Sequence, residues 1–134
     1  MIYLVFYTVL LAVLEIFRDG YAIINGTYSS RQNLSHRYAW CSRALAIAVP
    51  TVVLFGLTLK AGANGLILGL IFWLVFDTGL NVKRGLHPFY VGQNASTDKA
   101  IRRTAQKLGI KPEHLSMYLK IGILIALITG YALG

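Results

Sequence analysis

Charged residues are scarce in this chain of 134 residues. Asp, Glu, Lys and Arg make up 13% of the sequence, whereas soluble domains carry about 25%. Acidic residues are the scarcest, because only five stand against 13 Lys and Arg, giving a formal net charge of +8. Since 56% of the residues are hydrophobic, this composition excludes an ordinary soluble protein. A basic and apolar chain is expected to contact the phosphates of a lipid bilayer, and nucleic acid is not an expected partner.

Residues for covalent and metal chemistry are also few. The single cysteine, Cys41, cannot form an internal disulfide or a cysteine-based metal site. The three histidines lie on separate segments, and none belongs to an HxxxH or HExxH motif. We therefore expect no metal and no cofactor. An enzyme is the less favoured class, because no nucleophile is clearly paired with a base.

Long apolar runs, by contrast, are present, and a helix needs about 20 such residues to cross a bilayer. The predicted fold is an all-α polytopic membrane protein, a single domain over residues 1–134. Pro50 predicts a kink in the second span, and the polar segment 60–65 predicts a tight hairpin after it. The four predicted spans are about 1–17, 38–60, 63–82 and 115–133, with long polar loops at 18–37 and 83–114.

The distribution of Lys and Arg predicts the orientation of these spans. Residues 18–43 carry four basic residues and residues 83–111 carry seven, whereas the hairpin between the second and third spans carries only Lys60. Cytoplasmic loops hold the excess of Lys and Arg. Both long loops are therefore expected to be cytoplasmic and both termini outside.

The two halves of the chain show a similar pattern. Glu15 and Asp77 lie at a similar depth in the first and third spans, and each precedes an arginine and a glycine. This pattern predicts two hairpins related by an axis along the membrane normal, as in parallel-repeat transporters. The alternative is chance, because acids and basic flanks occur near many cytoplasmic loops.

Polar side chains are spaced to share helix faces near the inner leaflet. Glu15 and Asp77 should pair with Arg18, Arg43 or Arg84, because an unpaired charge in hydrocarbon costs about 2.5 to 3.5 kcal/mol. Such a cluster could bind a lipid headgroup, an ion or a partner helix. The alternative is an ion-pair network that fixes helix register and binds nothing. The predicted cluster comprises Glu15, Arg18, Asp19, His36, Arg43, Asp77, Asn81 and Arg84.

The second long loop contains a predicted helix. Ser96 or Thr97 can cap it, Gly109 ends it after Leu108, and Pro112 suits the start of the next helix. Residues 101–119 resemble a bacterial helix-turn-helix, but the second helix continues into the fourth span and cannot enter a DNA groove. The favoured interpretation is an amphipathic surface helix. Its apolar side, expected to face lipid, holds Ile101, Ala105 and Leu108, and its headgroup-facing side holds Lys99, Arg102, Arg103 and Lys107.

Small-residue motifs predict close helix contacts. Gly65 and Gly69 form one GxxxG motif, and Gly130 and Gly134 form another. Such motifs let helices approach closely, within one chain or between copies. A homo-oligomer that uses these four glycines is therefore a possible assembly.

Residues 76–85, together with the following Phe-Tyr-Val-Gly at 89–92, resemble segments of small uncharacterised membrane proteins of bacteria and their phages. The resemblance implies a bacterial inner membrane and no particular activity. The leading hypothesis is a small multi-pass membrane protein whose charged cluster binds a lipid headgroup, ion or partner helix. The alternatives are an embedded enzyme acting on a lipid phosphate, and a holin-like pore former or small transporter. The long loops differ from those of small multidrug transporters.

Overall fold

The structure is a computed structural model that describes residues 1–24, 32–93 and 96–133. Throughout these ranges the regular secondary structure is helical and no strand occurs, which confirms the all-α class. The five helices are α1 (Ile2–Ile24), α2 (Gln32–Phe55), α3 (Leu59–Lys83), α4 (Ser96–Leu108) and α5 (Pro112–Leu133).

Three of these helices are long and apolar enough to cross a membrane. The stretches that qualify are Tyr38–Phe55 in α2, Leu59–Lys83 in α3 and Pro112–Gly130 in α5. In α1, every stretch of 18 residues includes the charged Glu15, Arg18 and Asp19, so this helix does not qualify by composition. Many large apolar side chains on the helices are exposed to the surroundings. Such extensive apolar exposure is typical of a surface that meets lipid.

The first long loop is shorter than the sequence predicted. Helix α1 continues beyond residue 17 to Ile24, and α2 begins at Gln32, so most of the predicted loop 18–37 is helical. Hydropathy marks where a helix should leave hydrocarbon, but it does not mark where the backbone stops being helical. Arg18 and Asp19 remain in α1, where the spacing from Glu15 places all three on one face.

The turn between α2 and α3 also differs from the prediction. Gly56 follows α2 with a φ of +67°, a left-handed conformation that glycine adopts without strain. The hydroxyl of Thr58 then accepts a hydrogen bond from the Ala61 N–H at 3.1 Å and caps α3. The predicted hairpin at residues 60–65 is therefore wrong, because those residues form the first turns of α3. Pro50 lies inside α2, which continues past it to Phe55.

The chain divides into two compact units, Met1–Phe76 and Asp77–Gly134, with the division inside α3. We call them unit 1 and unit 2. The core of unit 1 draws apolar side chains from all three of its helices. On α1 the core residues lie eight positions apart, and a spacing of two turns keeps them on one face. The core cluster of unit 1 comprises Leu4, Ala12, Ile47, Leu68 and Phe72.

Unit 2 joins the end of α3 to α4 and α5. Helix α4 spans the predicted residues, Gly109 follows it with a φ of +66°, and α5 begins at Pro112 as expected. Helix α4 contacts α5 across this short turn, and its predicted apolar side is only partly covered, because Ile101 is half-buried and Leu108 is exposed. Ala105 has 0% of its surface exposed, so the expectation that it faces lipid is wrong.

Candidate functional site

The first charged group lies at the end of α1. Arg18 binds Glu15 through two parallel hydrogen bonds, Nη1 to Oε1 at 2.8 Å and Nη2 to Oε2 at 2.6 Å. Its Nε also donates to Asp19 Oδ1 at 2.9 Å. A guanidinium with a planar fork of donors suits this bidentate geometry. One arginine on the same helix therefore engages both acids.

Arg43 brings the same acids into contact with α2. Its Nε donates to Glu15 Oε2 at 2.7 Å and its Nη2 donates to Asp19 Oδ2 at 2.7 Å. The side chain is only 7% exposed. Its guanidinium carbon also lies 4.4 Å from the ring centre of Phe76 and 5.9 Å from that of Phe72. The aromatic faces add a favourable contact for the cation.

This network is electrically balanced and saturated. Two carboxylates face two guanidinium groups, and each of the four carboxylate oxygens accepts a hydrogen bond. The expected pairing of Glu15 with Arg18 and Arg43 is thus present. Every carboxylate oxygen is thus already engaged by an arginine, which favours the interpretation as an ion-pair network. Within the described ranges, no group of three or more His, Cys, Asp and Glu side chains could hold a metal ion.

The second charged group lies in unit 2. Asp77 accepts a hydrogen bond from the ammonium of Lys120, which is only 3% exposed. The sequence predicted an arginine partner for Asp77, and this expectation is wrong because the partner is a lysine. Helix α5 places the lysine beside the end of α3 instead. A buried ammonium requires such a partner, because an uncompensated charge is costly to desolvate.

The remaining residues of the predicted charged cluster are Asn81, Arg84 and His36. Asn81 is buried and donates through Nδ2 to the carbonyl oxygens of Pro88 and Tyr90, at 3.0 and 3.1 Å. Its role in the structure is therefore to hold the chain that follows α3. Arg84 is exposed beyond the end of α3, and the side chain of His36 lies outside the described residues. The predicted convergence of both charged groups in one pocket stays a prediction.

Arg102 does not have the predicted orientation. It is half-buried and donates to the carbonyl oxygens of Gly92, at 2.8 Å, and Val91. Its guanidinium carbon lies 5.8 Å from the ring centre of Tyr90. The prediction that Arg102 faces lipid headgroups is therefore wrong. Its face of α4 lies against the loop that precedes the helix.

Asp98 completes the site in unit 2, and sequence reasoning missed it. Its carboxylate accepts a hydrogen bond from the backbone N–H of Gly92. A Cβ atom at position 92 would collide with that carboxylate, so any other residue there would displace the Asp98 side chain. In the sequence, Asp98 is simply an acid near the N-terminus of α4, a common position for a carboxylate. Its proximity to Asp77 and Lys120 arises from tertiary packing, and the lone local signal is Gly92.

The surroundings of Asp98 favour its protonated form. Burial raises the pKa of Asp98 above its ordinary value, and the charge of Asp77 raises it further. Lys120, Arg102 and the Gly92 N–H oppose this shift by favouring the carboxylate. Unit 2 therefore holds a carboxyl group with an increased affinity for protons.

Comparisons with protein-family models, with curated proteins and with solved structures found no match.

Replacing Arg43 by Met should strongly destabilise unit 1. The change removes a guanidinium that is only 7% exposed and that joins α1 to α2, and breaking a buried ion pair costs about 3 to 5 kcal/mol. Arg18→Met is the matched control, because the Arg18 side chain is 55% exposed and exposed pairs contribute up to about 1 kcal/mol. Denaturant titration followed by circular dichroism in detergent micelles measures both losses. Equal losses in the two variants would contradict a buried network centred on Arg43.

Replacing Asp98 by Asn should flatten the pH dependence of unit 2 stability. Because the folded state raises the pKa of Asp98, it binds this proton more tightly than the unfolded chain. The contribution of Asp98 is therefore greatest at low pH and decreases as pH rises from the ordinary carboxyl range through the raised pKa. Unfolding of both proteins from about pH 4 to pH 8 measures the slope. An unchanged slope in Asp98→Asn would refute this assignment.

Proposed function

We propose that this chain is a non-enzymatic integral membrane protein with four spans that binds anionic phospholipid headgroups through α4. The spans are α1, α2, α3 and α5, arranged as two hairpins in a bacterial inner membrane. Both termini lie outside the cytoplasm, and the basic segments lie inside it. The lipid-phosphate enzyme and the pore former have no support in any arrangement of the described residues.

The proposal of α1 as a span is supported by its ion pairs. Composition disfavours this helix only because of three charged residues near its cytoplasmic end. Arg43 completes a network without net charge, so the helix carries no unpaired charge into the apolar region. The insertion penalty of about 2.5 to 3.5 kcal/mol applies to an unpaired charge. Residues 2–14 of α1 carry no charge at all.

Cys41 offers a direct test of the orientation. It is the only cysteine, it is exposed, and it lies near the beginning of the stretch Tyr38–Phe55, at the end that the proposal places at the cytoplasmic side. A membrane-impermeant maleimide should label it in inside-out vesicles and leave it unlabelled in intact cells. In a Cys41→Ser background, Lys60→Cys places the thiol in the first turn of α3, just after the other end of α2, and should give the reverse pattern. Labelling of both positions from one side would overturn the four-span orientation.

The basic surface of α4 carries the lipid-binding proposal. Lys99, Arg103 and Lys107 are all exposed, and their spacing of four residues aligns them along one side of the helix. We call these three residues the basic stripe. On the other side, Ala105 and Arg102 face the protein. Each basic residue near an anionic membrane surface contributes about 1 kcal/mol to binding.

Self-association is a second candidate, supported by the surroundings of the glycines. A Cβ atom built on Gly65, Gly69 or Gly130 would meet no other atom within 4 Å. The open space beside these residues would admit a closely packed helix. Gly134 lies outside the described residues, so its part in such a contact stays a prediction.

Reversing the basic stripe should abolish the preference for anionic lipid. The variant Lys99→Glu/Arg103→Glu/Lys107→Glu replaces attraction by repulsion at three positions. After mild detergent extraction from mixed phosphatidylglycerol and phosphatidylcholine vesicles, mass spectrometry measures the ratio of the two lipids retained. We expect the enrichment in phosphatidylglycerol to fall at least about tenfold, given about 1 kcal/mol for each basic residue.

Lys107→Glu reverses a single charge of the basic stripe, and Lys60→Glu is its matched control. Both residues are exposed, but the proposal puts Lys60 at the opposite membrane surface. Lys107→Glu should lower the enrichment and Lys60→Glu should leave it unchanged. The wild-type enrichment should also decrease as salt rises, because exposed charges are screened. An unchanged enrichment in the triple variant would refute binding through α4.

A further inference from the structure

Two buried polar side chains in unit 1 are left without partners by the surrounding helices. Asn64 is 0% exposed and Thr8 is 1% exposed. Within the part of the chain that the structure describes, neither the amide atoms of Asn64 nor the hydroxyl of Thr8 has a hydrogen-bond partner. In hydrocarbon, each unsatisfied polar group costs several kcal/mol. These atoms therefore require a partner that the described residues do not supply.

Both residues lie one helical turn from members of the same core cluster. Thr8 lies on α1 midway between Leu4 and Ala12, and Asn64 lies on α3 one turn before Leu68. Leu4, Ala12 and Leu68 are members of one buried cluster. Because residues four apart share a helix face, Thr8 and Asn64 lie on the faces that α1 and α3 direct into this cluster. The core cluster itself contains no charged residue.

A buried threonine on α2, Thr51, hydrogen-bonds to its own helix, whereas Thr8 does not. Thr51 on α2 is also 1% exposed, but its hydroxyl donates to the carbonyl oxygen of Ile47 at 2.6 Å. A helical threonine commonly satisfies itself in this way, four residues back along its own helix. Thr8 has the equivalent carbonyl at Leu4, yet its hydroxyl has no partner among the described residues. The Thr8 hydroxyl is thus available to a ligand.

The chemistry of these atoms selects a small neutral ligand. The Asn64 amide offers donors at Nδ2 and an acceptor at Oδ1, and a threonine hydroxyl can do both. A cation would leave Nδ2 unsatisfied, and an anion would leave Oδ1 unsatisfied. We propose that Thr8 and Asn64 bind a water molecule between α1 and α3. Buried water makes two to four hydrogen bonds in proteins, and this site supplies both donors and acceptors.

The bound water links two helices through an otherwise apolar core. It gives α1 and α3 a specific register, because apolar side chains alone permit small slips along the helix axes. This role is independent of lipid binding by the basic stripe. It requires only that unit 1 folds as described.

Nuclear magnetic resonance on the ¹⁵N-labelled full chain in lipid nanodiscs tests the proposal. The side-chain amide of Asn64 should show a cross-peak with water, although the lipid excludes bulk solvent from the core. Thr8→Val removes one partner of the water and should abolish the cross-peak. Thr51→Val is the matched control, because its hydroxyl already donates to a carbonyl, and it should leave the cross-peak intact. Absence of the cross-peak in the wild type, or its persistence in Thr8→Val, would overturn the proposal.

A double-mutant cycle gives an independent measurement. If one water joins the two side chains, the stability changes of Thr8→Val and Asn64→Leu should not add in the double variant. Additive changes would overturn the bridge. Coupling without the water cross-peak would also overturn it, since it would indicate a direct bond between the side chains. Should Asn64→Leu fail to fold, the nuclear magnetic resonance comparison decides alone, because it uses no Asn64 variant.

Discussion

The ion pairs of Arg43 are the interaction on which unit 1 depends. Because α1 carries Glu15, Arg18 and Asp19, its composition alone is too polar for a membrane span. Arg43 supplies the missing positive charge from a second helix and satisfies an oxygen of each acid. The same guanidinium contacts the ring of Phe76 on α3. One buried side chain therefore connects three helices and neutralises the most polar part of the first.

In unit 2 the acidic side chains are less fully compensated by positive charge than in unit 1. Asp77 has Lys120, but Asp98 is a second, partly buried carboxyl group close to the same charges. Arg102 is near enough to stabilise the carboxylate, although its hydrogen bonds go to loop carbonyl groups. Burial and the repulsion from Asp77 consequently outweigh these attractions and raise the pKa of Asp98. The network of unit 1 is saturated, whereas unit 2 retains a group that responds to pH.

Local signals predicted local features well and tertiary ones poorly. The limits of α4 and the start of α5 at Pro112 were predictable, because capping residues and proline act within one turn. The segment 60–65 was misleading, since its glycines suggested a turn whereas the cap at Thr58 begins a helix. The pair of Asp77 and Lys120 spans 43 positions of sequence. The spacing of residues along a helix cannot predict a contact over such a distance in sequence. The charged group of unit 2 could therefore be identified only from the structure.

Helix α4 shows why a basic composition does not assign a role to each residue. Successive residues of a helix point about 100° apart, because one turn takes about 3.6 residues. Arg102 and Arg103 are neighbours, yet the first binds loop carbonyl groups and the second is exposed beside Lys99 and Lys107. The same helix also carries Asp98 in its first turn. The element proposed to contact lipid headgroups thus also positions the titratable carboxyl group, and a movement of one entails a movement of the other.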